Sequence, residues 1–165
     1  MTLAAFWQII EKYRLDDDDT ALQVERICTR LARMDPREIL EFQRHLADCL
    51  DRAYRWDLWA VAYIMNGGCA DEGFQHFRGW LICQGREYFE AALSEPACAA
   101  NRATPEVTEY ECEEILHVAR LAYEEASHRP MPEAPRTLSE PKGIRWTDDC
   151  LEQLYPALFE RFLVW

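Results

Sequence analysis

The sequence predicts an all-α fold: a single-domain, multi-helix bundle over residues 1–165, with a proline-rich surface segment at 130–145 before the C-terminal helix. Three observations carry that expectation. Apolar residues recur at spacings of three and four along most of the chain, as one face of a helix requires. Helix start and stop signals divide those stretches. No convincing period-two run marks a strand, and no internal repeat occurs. With 165 residues, 49% apolar and 12% aromatic, the chain can fill one sizeable core.

The elements follow in order. Thr2 can cap a first helix whose apolar face is Leu3, Phe6, Ile10 and Tyr13, and the acidic run Asp16 to Asp19 ends it. Thr20 with Gln23 makes a capping-box pattern ahead of Val24, Ile27, Leu31 and Met34. Asp35-Pro36-Arg37-Glu38 is the strongest start signal, combining an N-cap acid, proline at the first helical position and a Glu three residues on. Its buried stripe is Ile39, Phe42, Leu46, Cys49 and Ala53. A nearly continuous apolar run, YRWDLWAVAYIMNGG, predicts a central helix with Asp57 as cap and Gly67 or Gly68 as a left-handed stop. Ala70 or Asp71 opens the next helix, which Gly85 ends, and REYFEAAL supplies a short one. From Thr104 or Thr108 to about Ser127 the pattern is helical, with Ile115, Val118, Ala122 and Tyr123 inward. Four prolines in RPMPEAPRTLSEP exclude a helix there. Thr147 begins the last helix, with Leu151, Leu154, Leu158 and Phe162 for packing and Pro156 as a kink or restart.

Charge narrows the function classes. A net charge of −12 repels a phosphate backbone, so nucleic acid and anionic membrane are excluded as partners. No stretch approaches the roughly 20 apolar residues that span a bilayer, and MTLAAFWQIIEKYR lacks a basic leader region, so a cytoplasmic protein is expected. The seven cysteines are odd in number and lack CxxC spacing, which predicts reduced thiols packed as small hydrophobes, without disulfide, metal or cofactor. His45 with Cys49, and Cys112 with His117, supply too few ligands for a metal site. No GxSxG, HExxH or GxGxxG motif occurs.

The chemistry-bearing residues concentrate in AYIMNGGCADEGFQHFRGWLICQGR, positions 62–86, which holds five of the six glycines. On a helical wheel Phe74, Phe77 and Leu81 share a face, flanked by Asp71, Arg78 and Ile82, with Glu72, His76, Gly79 and Cys83 elsewhere. A helix lined all round lies inside a bundle, where a charge needs a partner; for Arg78 that is Asp71 or a neighbouring helix end. Glu72 and His76, one turn apart, are candidate acid and base. Gly79 leaves room for a ligand or a close helix. Asp71 and Glu72 also suit the first turn of a helix, where they complement its dipole, and they argue against a phosphate cradle at NGGCADEG. Trp59 and Trp80, with Asp71 and Arg78, are the candidate ligand-binding residues; Trp56 and Trp59 equally suit a core.

The segments FWQIIE, EILEFQRHL, AYRWDLWAVAYIMNGGCADEGFQHFRGWLICQGREYFEAAL and LYPALFERF together resemble the bacterial domain-of-unknown-function family numbered 4240. The resemblance covers most of the chain. The matching positions are Trp59, Tyr63, Gly67, Gly68, Asp71, Gly73, Phe74, Phe77, Arg78, Trp80, Gly85 and Phe89. Where that family often has Ser-Asp-Asp, this chain has Ala70-Asp71-Glu72, which keeps the charges and loses a hydroxyl. The resemblance implies a stand-alone cytoplasmic bacterial protein and carries no activity.

Two functions fit these readings. The first is an interaction or regulatory module of the immunity kind, whose Glu-rich stretch 106–125, with seven Glu against one Arg, docks a basic protein partner. The second is a small-molecule binder or enzyme built on Glu72, His76 and Arg78. No feature sets the oligomeric state.

Overall fold

The computed structural model describes residues 1–15, 19–104, 107–133 and 140–163. Among these residues nine α-helices and no strand occur, so the all-α class is observed. They are α1 (Leu3–Lys12), α2 (Thr20–Leu31), α3 (Pro36–Arg52), α4 (Trp56–Met65), α5 (Asp71–Cys83), α6 (Arg86–Ser94), α7 (Glu114–Ser127), α8 (Leu151–Leu154) and α9 (Pro156–Leu163). Short 3₁₀ turns at Pro96–Ala100 and Asp148–Cys150 complete the set.

Local chemistry accounts for most helix ends. Thr2 caps α1 by accepting from the Ala5 amide at 3.2 Å. The expected capping box at Thr20 is corrected by one position: Asp19 is the cap, its carboxylate accepting from the Leu22 amide at 2.9 Å, and Thr20 is already helical. Gln23 turns inward instead. Its buried amide donates to the carbonyls of Ile10 and Cys83, both at 3.0 Å, satisfying the open C-terminal ends of α1 and α5. Asp35 caps α3 through the Arg37 amide at 2.8 Å, with Pro36 at the first position and the stripe from Ile39 to Ala53 buried.

Trp56, one residue before the expected cap Asp57, opens α4, and Asp57 binds the Arg55 guanidinium from within the first turn. This helix is buried on nearly every side and ends where the sequence says. The Gly68 amide reaches Tyr63 O at 2.9 Å and the Gly67 amide Ile64 O at 3.4 Å, a Schellman stop with Gly67 at φ +63°. The free amides of α6 are met from elsewhere, Glu11 accepting from the Arg86 amide at 2.9 Å.

The start of α7 falls later than the periodicity implies, at Glu114. The residues before it are held open by distant partners: the Tyr110 amide donates to Asn66 Oδ1 at 2.9 Å and the Cys112 amide to His76 O at 3.0 Å. Residues 105, 106 and 134–139, like the expected break at Asp16 to Asp18, lie outside the described residues. At the C-terminal side a 3₁₀ turn, not a helix, follows Thr147; Pro156 restarts the helix, and Leu154 is 52% exposed because α8 is too short to turn it inward. One hydrophobic core runs through the helices, from Phe6 in α1 to Leu158 in α9.

Candidate functional site: an aromatic cleft beside the glycine-rich helix

The residues singled out on α5 are drawn to different partners. Arg78 is buried, donating from Nη1 to the Leu50 carbonyl at 2.8 Å, at the C-terminal end of α3, and from Nε to Phe74 O at 3.4 Å. Its guanidinium also lies 4.4 Å from the Tyr54 ring centre and 5.0 Å from that of Phe74. Burial pushes its pKa down, and Tyr54, Asp71 and Asp51 oppose that. The partner is thus a helix end rather than an ion pair, Asp71 binding the Tyr54 hydroxyl at 2.8 Å instead. Burial, then that hydrogen bond, pushes the Tyr54 phenol up.

Glu72 is exposed, and the His76 ring faces Glu111 across 3.9 Å. No hydrogen bond joins Glu72 to His76 among the described residues. The space beside Gly79 is filled by backbone: a Cβ there would stand 2.5 Å from Cys112 O and 2.8 Å from Ile115 Cγ2. Trp80 is 2% exposed. Glu72, His76 and Arg78 therefore do not converge on one opening.

Trp59 does reach an opening. Its ring stacks on Trp56 at 5.0 Å and 4°, and on Phe74 at 4.9 Å and 11°, because positions 56 and 59 share a face of α4 that crosses the start of α5. Phe77 and Trp80 continue this aromatic column into the core. At the outer end Trp146 sets its edge against Trp56 at 6.2 Å and Tyr63 at 5.2 Å, and the Arg145 guanidinium lies 5.2 Å from the Trp56 ring centre. Together Trp56, Trp59, Cys69, Arg145, Trp146, Thr147 and Asp148 line a cleft of about 490 Å³.

The cleft walls are fixed by hydrogen-bonded, half-buried polar ends. Trp59 Nε1 donates to Cys69 O at 2.8 Å and Trp146 Nε1 to Trp56 O at 2.7 Å, so each indole keeps a satisfied N–H and presents an apolar face. The backbone around Lys142 pins the far wall, Trp56 N donating to Lys142 O and Lys142 N to Tyr54 O, both at 2.9 Å. Tyr63 hydroxyl donates to Asp148 at 3.3 Å. Burial pushes the Cys69 thiol up to about 12; the carboxylates of Asp71 and Glu111 push the same way and Arg78 opposes them. Sequence reasoning missed Arg145, Trp146 and Asp148. The signal was present in GIRWTDD, a tryptophan set between a cation and two acids where no helical period explains it.

The model of a family described as a protein of unknown function, DUF4240, matches residues 1–125. The chain belongs to this family. Its DUF4240 region takes in α1 to α6 and nearly all of α7, so the Trp56–Trp59–Phe74 stack and Arg78 lie inside it. Arg145, Trp146 and Asp148, the outer wall of the cleft, lie beyond. No curated protein and no solved structure matches this DUF4240 chain. No helix among its described residues is long and apolar enough to cross a membrane.

Proposed function

We propose that this DUF4240 protein is an interaction module of the immunity or regulatory kind, and that its cleft receives a cationic side chain of a basic protein partner. The observation that carries this reading is the Arg145 guanidinium over Trp56: the chain's own cation already takes the place a partner's would use. Asp148 on the rim and Asp71 and Glu111 near Cys69 add the charge that draws a cation in. Exposed Glu109, Glu113 and Glu114 extend that field along the approach. Seven free thiols suit a reducing, cytoplasmic setting, which is part of the proposal. The alternative, an enzyme using Glu72, His76 and Arg78, draws less support because those groups address separate neighbours.

Titration of an arginine-rich peptide, followed by tryptophan fluorescence and calorimetry, tests the reading. Saturable quenching is expected, weakening from 0.01 to 0.15 M salt as charges are screened within a Debye length of about 30 Å and then about 8 Å. Trp146→Ala and Asp148→Asn should each weaken binding about tenfold, since cation–π and rim charge each contribute on the order of 1 kcal/mol or more. Changing Glu109, Glu113 and Glu114 to Gln should mainly slow association. Equal binding by the Trp146→Ala protein would remove the cleft from the proposal.

A further inference from the structure

A second cleft, of about 280 Å³, opens where the end of α1 meets the outer face of α2, and its charge is opposite to that of the whole chain. Tyr13, Glu25, Arg26, Thr29, Arg30 and Arg33 line it. Arg26 and Arg30 stand one turn apart on α2, and Arg33, in the turn after Leu31, brings a third guanidinium to the same cleft. All three are exposed, and none forms an ion pair or side-chain hydrogen bond among the described residues. Lys12 adds a fourth cation, its ammonium 5.6 Å from the centre of the Tyr13 ring.

That arrangement differs from three other arginines on the helix surfaces. With 30 acids against 18 basic residues, Arg44 stands 3.0 Å from Glu41, Arg52 2.7 Å from Glu90 and Arg120 3.3 Å from Glu124, while Arg37 and Arg86 stand singly and line no such cluster. On α2 the position one turn after Arg26 is Arg30, and Arg33 follows just past the helix end. Like charges at this spacing repel, so the helix gains nothing from them. A favourable dipole interaction accounts for a cation in the last turn, where Arg30 stands, but not for Arg26 at mid-helix.

We propose that this cleft binds a phosphate dianion, free or as the phosphoryl group of a small organic phosphate. Guanidinium forks match phosphate oxygens in bidentate geometry, and three of them with Lys12 nearby outweigh the single Glu25, an excess of positive charge that suits a dianion. A carboxylate would meet less of that charge. The volume lies just below the range of about 300–1,000 Å³ usual for small-molecule pockets, which suits a phosphoryl group rather than a nucleotide. This site is independent of the aromatic cleft: its residues lie at the end of α1, on α2 and in the turn after it, and share no side chain with it.

Calorimetry and thermal unfolding with inorganic phosphate and with glycerol phosphate, at constant ionic strength held by chloride, test the proposal. A saturable heat and a rise in melting temperature are expected with phosphate and not with added chloride. Tighter binding of inorganic phosphate would mark a site for the free ion, and tighter binding of glycerol phosphate one for a phosphorylated metabolite. Arg30→Gln and Arg26→Gln should each raise the dissociation constant at least tenfold, and Arg30→Lys, which keeps charge and loses the fork, should fall between. Arg44→Gln should leave binding unchanged. Because all these side chains are exposed, the variants should fold; the same affinity in Arg26→Gln and Arg30→Gln as in the parent, or no saturable binding at all, overturns the proposal.

Discussion

Arg78 shows what a buried cation does when no carboxylate is offered. Its guanidinium closes the end of α3 through the Leu50 carbonyl and lies over two aromatic rings, so charge, hydrogen bonding and packing act at one point. Arg78→Ala removes all three. An orphaned buried carbonyl costs about 1–3 kcal/mol, and desolvated cation–π contacts contribute on the order of 1–2 kcal/mol. A total loss of about 2–5 kcal/mol in unfolding free energy is expected from urea denaturation, with the m-value unchanged. An unchanged midpoint would show that the side chain is solvated. The wheel made this burial legible, since Arg78 falls beside Phe74 and Ile82. It left the partner between Asp71 and a neighbouring helix end, and could not name Leu50, because that residue lies on another helix and a backbone carbonyl has no signature in sequence.

At the scale of the element, α5 is a helix shaped by what it lets approach. Gly79 carries no side chain because the chain before α7 passes there, Cys112 O standing 2.5 Å from where a Cβ would be. Gly73 on the same helix would meet only Cys69 Sγ, at 3.5 Å. The two glycines therefore predict opposite outcomes. Gly73→Ala should stabilise by about 0.5–1 kcal/mol, the ordinary helical preference for alanine. Gly79→Ala gains the same preference and loses more, since backbone cannot yield as a flexible side chain can, and overpacking costs about 1–3 kcal/mol. Thermal unfolding of the two variants checks this; stabilisation of both would mean that the 110–114 segment moves freely. The same approach explains why the start of α7 could not be read. Caps such as Thr2 and Asp35, and the Gly67–Gly68 stop, act within four or five residues and are legible. Tyr110 and Cys112 are instead held by Asn66 and His76, whose pull on the backbone leaves no trace in local periodicity.

Across the whole molecule, the C-terminal stretch acts as a wall for what precedes it. Lys142 pairs its backbone with Tyr54 and Trp56; Trp146 binds the Trp56 carbonyl; Arg161 donates to Ala100 O at 3.1 Å and Ala103 O at 2.7 Å. Half of the aromatic cleft thus comes from residues 145–148, beyond the family match, and Trp146 falls just outside the helical pattern read from Thr147 onward, which is why Trp59 was legible as a candidate and Trp146 was not. Removing residues 129–165 should then do more than open the cleft. Leu151 and Leu158 lose their burial, worth roughly 3–6 kcal/mol together, and the carbonyls held by Arg161 lose their partners. Against a net stability of about 5–15 kcal/mol for a domain of this kind, that is enough to loosen the packing around α4. The shortened chain is expected to keep helical far-UV signal, lose near-UV tryptophan signal and bind a hydrophobic dye, as a chain with helices but without fixed packing does. An unfolding midpoint equal to that of the full chain would show that α1 to α7 are self-sufficient, and that the C-terminal stretch serves only to complete the cleft.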